Sequence, residues 1–382
     1  MSTPQSRIAQ LASTVAAYTQ KIDDYLTQKS LPQPSFNADG PIDLGLPADL
    51  QQLRGALLDA TQELNDLLQG PRDLLFNHHH SQLLYLKLIS RFDIAKKVPI
   101  NGEITYKDLA ASVNVEEGAL SRILRLGIAH RIFREPRPGV IAHSAASRQI
   151  ADDPAMADWV SSCVEDMWPS AEMTVDALAK WPLAEEPNQT LKITSGLAAL
   201  GGAMSFFTSG EGYSLRHLTD GYAWSAIGAG TVVDLGGSFG EAAFAIARQY
   251  PDMKLIVQDL PEVTSMSKEE PGLSVEFMAH DFFTEQPVKD ADILRALVPA
   301  LKSGSRVLIM DFVMPPPLAL PNLVDRELRA MDATMLEIGN AKERNMDEWK
   351  VLFQQTDRRF VLKGTVQPPG SNLTILELEW QG

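Results

Sequence analysis

Apolar residues recur along this chain with two periods, and the switch between them marks its organisation. In residues 8–26, Ile8, Leu11, Val15, Tyr18, Ile22 and Tyr25 fall on one stripe, which predicts an amphipathic helix. A loop with Pro32, Pro34, Gly40, Pro41 and Pro47 leads to a second helix from near Asp49, carried by Leu53, Leu57, Ala60, Leu64, Leu67 and Leu68. Neither stripe holds a polar constellation, so both read as packing or dimerisation helices. From Ser81 a third helix uses Leu83, Leu84, Leu86, Leu88, Ile89 and Phe92. Ile104-Thr105-Tyr106 opens a short helix to Ala111, and another runs from Glu116 to Leu126. Two short strands, Arg131 to Arg134 and Val140 to His143, then flank a Pro136-Arg137-Pro138-Gly139 turn, completing a winged-helix pattern. Residues 153–180 read as one or two helices with Met156, Trp159, Met167, Trp168 and Met173, suited equally to a core or to an apolar small-molecule pocket. A Pro/Glu loop, WPLAEEPNQT, leads to the stretch Leu197 to Phe207.

Beyond Gly221 the pattern becomes strand–helix alternation. Thr231-Val232-Val233 is a short apolar run with β-branched residues, as a buried strand should be. Asp234-Leu235-Gly236-Gly237-Ser238-Phe239-Gly240 is a turn, and the helix from Glu241 to Tyr250 repeats Ala243, Phe244, Ile246 and Ala247 on one face. A second strand, Lys254 to Val257, ends at Asp259, 19 residues after Gly240. This is a nucleotide-binding βαβ unit, in which glycines admit a ligand close to the backbone and the acid holds a ribose hydroxyl pair. Val275 to Met278 is the third strand, followed by Asp281 and Phe282, placed for the amino group and the ring of an adenine. A short strand within Asp290 to Leu294, a helix from Arg295 to Leu301, and a strand from Ser305 to Met310 ending at Asp311 come next. Helices over Leu323 to Leu336 and Met346 to Thr356, and strands over Phe360 to Gly364 and Asn372 to Trp380, complete the chain.

Charge narrows the ligand. A dinucleotide site would carry G-x-G-x-x-G, whereas here an acid precedes the glycines, as Asp-x-Gly-Gly-x-x-Gly. A carboxylate there repels phosphate and suits an amino group or a sulfonium, which favours S-adenosylmethionine (SAM). The net charge of −15 argues against nucleic acid or an anionic membrane as partner, and the would-be recognition helix opens with two acids, Glu116 and Glu117. The winged helix is therefore read as a subunit-packing element. With 382 residues, 45% apolar and 22% charged, two or three lobes are expected. The single cysteine, Cys163, excludes a disulfide framework, and no run of about 18 apolar residues is present, so the expectation is a soluble, cytoplasmic protein. His78-His79-His80 lacks the neighbours of a metal site and reads as a helix start.

Taken together, VVDLGGSFG, IVQDLPEV, HDFFTEQP, LRALVPALKSGSRVLIMD, KERNMDEW and PPGSNLTILELEW, with FREPRPGVIAHSAASR and GYSLRHLTDGYAW upstream, carry a specific resemblance. From about Leu74 onward the chain resembles the fungal members of the plant-type, caffeate O-methyltransferase-like SAM-dependent O-methyltransferases. That resemblance implies an α/β fold: a Rossmann-like SAM-dependent methyltransferase domain preceded by an α-helical winged-helix dimerisation domain. The expected divisions are 1–70 (N-terminal helices), 71–150 (winged helix), 151–220 (linking helices and pocket wall) and 221–382 (SAM domain). It also implies a homodimer acting on a hydroxyl of an aromatic or polyketide-type small molecule. Carried over by position, Gly236, Gly237, Gly240, Asp259, Leu260, Asp281 and Phe282 are the cofactor-binding residues. Asp311 and Glu343 match the acids that orient the family's catalytic base, and no metal is implied.

The base itself is absent. Family members carry a strand and a His-Asp-Trp segment before the LRALVPALK helix, and the His takes the acceptor's proton. Here Ala291-Asp292-Ile293 runs directly into Leu294, and no His follows His280. Four residues span only about 13 Å as a strand, so either that strand is a stub or the centre of the sheet is distorted. A second shortening lies between Thr190 and Gly202. Two other readings stay open at this point. One is a SAM-binding pericyclase on the same fold, with Arg295 and His130 as pocket groups. The other is a non-catalytic partner protein.

Overall fold

The computed structural model describes residues 5–182, 210–267, 270–280 and 292–382. The chain divides into two compact units, Met1–Phe207 with Pro317–Lys342, and Thr208–Pro316 with Glu343–Gly382. The stretch Leu197 to Phe207 lies outside the described residues.

In the first unit the helices Arg7–Gln28 and Ala48–Phe76 pair, burying Ile22, Leu26 and Leu46 with Leu53 and Leu57 against them. Gly70, at φ +71 and ψ 173, breaks the second helix just ahead of Pro71, because proline disfavours helical backbone in the residue before it. His78-His79-His80 stands in the turns between this helix and the next, Leu84–Arg91, and not at a helix start as expected. Its flank is already set by Phe76 and Asn77, and the apolar stripe begins only at Leu84.

The region where a winged helix is expected contains β1 (Glu103–Thr105), the helices Tyr106–Val113 and Glu117–Ala129, β2 (Phe133–Arg137) and β3 (Val140–His143), the strands paired antiparallel in the order β1-β3-β2. Thr105 and Glu116 cap the two helices through their side chains. β2 begins two residues later than expected because Arg131 adopts φ +65, turning the chain before the strand can pair. It also runs on through Glu135, whose carboxylate is a hub. Glu135 accepts from Arg125 Nε (3.0 Å) and Nη2 (2.9 Å), from Tyr106 Oη (3.1 Å) and from the Gly139 amide (2.8 Å). Arg125, the cation a DNA-reading helix would offer, is engaged in this hub. Arg125 holds the Glu135 carboxyl down at about 2, and burial beside that carboxylate pushes the Tyr106 hydroxyl up to about 12. A carboxyl with a depressed pKa stabilises the fold above its ordinary range and loses that contribution as pH falls through the depressed value. Glu135→Gln is therefore expected to cost about 1 kcal/mol at pH 7, discounted for the half-exposed Arg125, and the cost should vanish near pH 2. Thermal melts of both proteins between pH 7 and pH 2 check this.

Residues 153–180 form the helices Pro154–Ser162 and Trp168–Lys180 joined by a π-helical turn, Cys163–Met167. The helix Asn322–Gly339, although late in sequence, packs with this first unit, against Ala48–Phe76 and Trp168–Lys180.

The second unit carries two three-stranded sheets. β4 (Thr231–Leu235), β5 (Lys254–Asp259) and β6 (Val275–Ala279) are parallel in the order β4-β5-β6. β7 (Arg306–Asp311), β8 (Phe360–Val366) and β9 (Thr374–Trp380) are antiparallel in the order β7-β9-β8. Ala243, Phe244, Ile246 and Ala247 of the helix Glu241–Gln249 are all buried, as their spacing predicts. The strand expected within Asp290 to Leu294 is not one in its described part. Asp292–Leu297 is helical, so the expected helix begins earlier and replaces the strand. A helix satisfies its own backbone groups within a segment too short to reach a sheet partner. Leu294 becomes core beside Trp349, Phe353 and Leu376. Among the described residues no strand pairs with the outer edge of β4, and Val233, expected to be buried, is 44% exposed. The two sheets are nonetheless joined. Leu308 of β7 packs on the core beneath β4 and β5, while its neighbours Val307 and Ile309 face the core under β9. Tyr222 donates its hydroxyl to Glu377 (3.0 Å) and accepts from Arg306 (3.0 Å).

Candidate functional site

The glycine turn after β4 has the shape its sequence requires. Gly236, Ser238 and Gly240 take φ of +67, +49 and +81, left-handed conformations that glycine tolerates and most residues resist. Gly240 is further required by space, since a Cβ there would lie 2.9 Å from Phe277 Cζ. At Gly237 a Cβ would lie 2.5 Å from Asp234 Oδ2. Asp234 thus sits beneath the turn, not on its open side. Its Oδ2 is buried and without a hydrogen-bond partner, and burial pushes the carboxyl up, with nearby Asp259 adding to the rise.

Asp259 closes β5 and reaches back to the turn. Its Oδ2 accepts from the Ser238 amide (2.9 Å) and its Oδ1 from the Leu260 amide (2.7 Å). Both oxygens keep lone pairs for a vicinal diol. Leu260 itself is 38% exposed, at the start of the short helix Pro261–Thr264. Ser238, which the motif does not single out, contributes its backbone amide to orienting Asp259. Asp281 and Phe282 lie outside the described residues. His280, just before them, is exposed and ties β6 to β5 through its amide to Asp259 O (2.8 Å).

Asp311 ends β7. Its Oδ1 accepts from the Phe312 amide (2.7 Å). Burial pushes the carboxyl up, offset in part by that amide and by the Arg344 guanidinium. The Glu343-Arg344 turn comes to the same place, because the Met314 amide donates to Arg344 O (2.9 Å). Arg344 also lies over the Trp349 ring, 5.4 Å from its centroid. The structure therefore brings Asp311 and the Glu343 turn together and adds Arg344, the member of the KER triplet that the motif reading leaves without a role. Three of the seven histidines are engaged with neighbours of their own. His143 is buried against Ser147 and Val98 O, His217 against Glu211 O, and His130 is stacked on Tyr85.

Arg295 is engaged elsewhere. Its Nη2 and Nε donate to Gln355 O (3.1 Å) and Thr356 O (3.4 Å), closing the last turn of the helix Met346–Thr356. Arg295→Ala is expected to lower stability by about 1 kcal/mol through the lost carbonyl partners, and to leave SAM affinity unchanged. A thermal melt beside a calorimetric titration checks both. Among the described residues no group of three or more metal-ligating side chains occurs, and no helix is long and apolar enough to cross a membrane.

These residues fit SAM: a turn that excludes side chains, and a carboxylate held open by two amides. The comparisons agree. A family profile described as an O-methyltransferase domain matches residues 218–298. The O-methyltransferase gsfB of Penicillium aethiopicum is 36% identical over 419 aligned positions, covering 100% of both chains. A grayanic acid biosynthesis cluster O-methyltransferase of Cladonia grayi is 38% identical, covering 98% of this chain and 88% of that one. The alignment of 419 positions for a chain of 382 shows that the Penicillium relative carries residues with no counterpart here. Among solved structures, OxaC superposes with a TM-score of 0.76 at 17% identity, over 98% of this chain and 99% of that one. LepI in complex with SAM gives 0.68 at 20%, over 97% of this chain and 100% of that one. Identity of this extent along essentially the whole length places the chain in the family of fungal SAM-dependent O-methyltransferases.

Proposed function

We propose that the protein methylates a hydroxyl of an aromatic or polyketide-type small molecule, with Asp311 and Glu343 handling the acceptor's proton in place of an imidazole. The observation that carries this reading is Asp311 itself. It is a carboxyl at the end of a strand, raised in basicity by burial, with Oδ1 fixed by an amide and Oδ2 left to take a proton. Bound SAM supplies an electrophilic methyl on sulfur. The protein's share is placement and proton transfer. Gly236, Gly237 and Gly240 leave room for the adenosyl ligand. Asp259 accepts from its ribose hydroxyls, with Leu260, Asp281 and Phe282 assigned to the same ligand from the family motif. Glu343 enters the site beside Asp311 through the Arg344–Met314 tie. A carboxylate is a weaker base than imidazole for a phenol, so the acceptors favoured are acidic phenols.

The pericyclase reading has less support. It rests on Arg295 and His130, which respectively close a helix end and stack on Tyr85. The structural likeness to LepI, at 20% identity, speaks to fold alone.

The assembly we propose is a homodimer in the cytoplasm, paired through the N-terminal helices and the winged helix, with 221–382 as the SAM domain. Leu67, Leu68, Leu75 and Phe76 are exposed on the helix Ala48–Phe76, the composition of a face that a second subunit covers. The decisive experiment is a panel of phenols of graded acidity incubated with SAM. The expected result is S-adenosylhomocysteine formation that increases with acceptor acidity. Tight SAM binding with no S-adenosylhomocysteine from any phenol would refute the reading.

A further inference from the structure

We propose that Arg344 is a positioning residue for Asp311, held over the face of Trp349 so that a fixed positive charge stands against the Asp311 carboxylate; the proposal rests on the proton-accepting role given to Asp311 above.

The argument begins with how the helix Met346–Thr356 starts. Asn345 is its N-cap, and its Oδ1 accepts from the Asp347 and Glu348 amides (3.0 Å each). Glu348 returns the bond, its Oε2 accepting from the Asn345 amide (3.0 Å). This reciprocal box satisfies the first amides and holds the entering chain in one direction. The residue before such a cap meets the fourth residue inside the helix, and the pair is ordinarily apolar on both sides. Here the two positions fall to Arg344 and Trp349. The Arg344 guanidinium lies 5.4 Å from the Trp349 ring centroid, a cation on an aromatic face. Trp349 is itself fixed. It is 6% exposed, stacked on Phe353 at 5.7 Å, and packed with Leu294 and Leu376 in the core under β9. An arginine where an apolar residue would serve the helix start calls for a second role.

The path of the chain supplies that role. The Met314 amide, three residues beyond Asp311, donates to Arg344 O (2.9 Å), which brings the start of the helix alongside the end of β7. All of these segments belong to one compact unit. There the guanidinium acts on Asp311 as an opposite charge, and with the Phe312 amide it offsets part of the burial that favours the protonated carboxyl. Other neighbours give no such help. The partner of Asp311 across β9 is Thr374, which carries no charge, and the residues that follow Asp311 are Phe312, Val313 and Met314. Glu343, the other titratable group of the turn, is an acid. Arg344 therefore sets how far the pH can fall before the base is lost.

The test uses full-length wild type, Arg344→Met, Arg344→Gln, Arg344→Lys and Asp311→Asn. Each is measured for kcat against pH with a weakly acidic phenol, whose own ionisation lies above the range scanned, for the SAM dissociation constant and for thermal melting. In both uncharged variants the acidic limb of the kcat profile should move up by about one pH unit, with a rate loss of about tenfold below the limb that closes as pH rises above it. SAM affinity should stay at its wild-type value. Arg344→Lys, which keeps the charge, should return the limb most of the way to its wild-type position. A limb that stays in place in the uncharged variants overturns the proposal where Asp311→Asn is impaired. A loss of kcat that is the same at every pH, with or without a loss of SAM affinity, also overturns it, because the role of Arg344 is then merely structural. So does a limb in Arg344→Lys that matches the uncharged variants. Full activity in Asp311→Asn with its acidic limb intact overturns the underlying base assignment instead, and the two failures are thereby told apart.

Discussion

Gly240→Val is expected to abolish SAM binding at any practical concentration, with the dissociation constant rising by two orders of magnitude or more while the protein still folds. Two independent costs act on the same bond. At φ +81 the left-handed backbone costs a residue with a Cβ on the order of 1–2 kcal/mol, and a β-branched one more. The new Cβ would also meet Phe277 Cζ at 2.9 Å and Val257 Cγ2 at 3.3 Å. Neither neighbour can retreat, because Val257 is fully buried and Phe277 is packed on the same core and against Phe244, with 6.0 Å between ring centroids. The turn must therefore move, and Ser238, whose amide orients Asp259, moves with it. Asp259→Ala separates the causes. It keeps every backbone angle and removes only the acceptor for the diol, a loss of about 1.5–3 kcal/mol per charged hydrogen bond. A calorimetric titration with SAM on both variants is the measurement. Binding by Gly240→Val within a few-fold of wild type would show that the ligand lies elsewhere.

The turn is legible in the sequence because its chemistry is local. Glycine spacing, an acid ahead and an acid at the end of the next strand are all properties of neighbours in sequence, and the helical face of Ala243, Phe244, Ile246 and Ala247 follows from period alone. What escapes the sequence is non-local. Asp59 caps a helix that begins at Asn322, and nothing in the pattern around either residue announces it. Glu135 is an ordinary acid in a turn until Arg125, Tyr106 and Gly139 converge on it. The strand expected near Asp292 fails for the opposite reason. The apolar run Ile293-Leu294 has no period of its own, and with no length to form a strand the residues from Asp292 join the helix that follows. The KER motif proposed to take part in proton transfer announces its acid and not Arg344, because only the folded chain sets that guanidinium against Asp311 and Trp349.

Asp311→Asn is expected to lower kcat by on the order of 10²-fold or more, the usual contribution of a positioned general base, with SAM affinity little changed. The pH dependence distinguishes a base from a mere neighbour. Burial raises the Asp311 pKa above its ordinary 3.8, so in the wild type the rate should fall as pH drops through that raised value, earlier than for an exposed carboxylate. Asparagine cannot titrate, and the acidic limb due to this group should disappear from the variant's profile. Stability should move the other way. A carboxyl whose folded pKa lies above its unfolded one binds protons more tightly when folded, so its ionisation costs stability as pH rises through the interval between them. Removing the charge should then raise the melting temperature at pH 7 even as activity falls, the exchange expected of a group held in an unfavourable state for its chemistry. Acceptor acidity supplies the last discrimination. A phenol already ionised at the assay pH needs no base, so its rate should suffer least from the substitution, and the weakly acidic phenols most. An equal loss across the panel, or an acid limb that survives in Asp311→Asn, would assign the proton to another group, and Glu343 would be the residue to replace next.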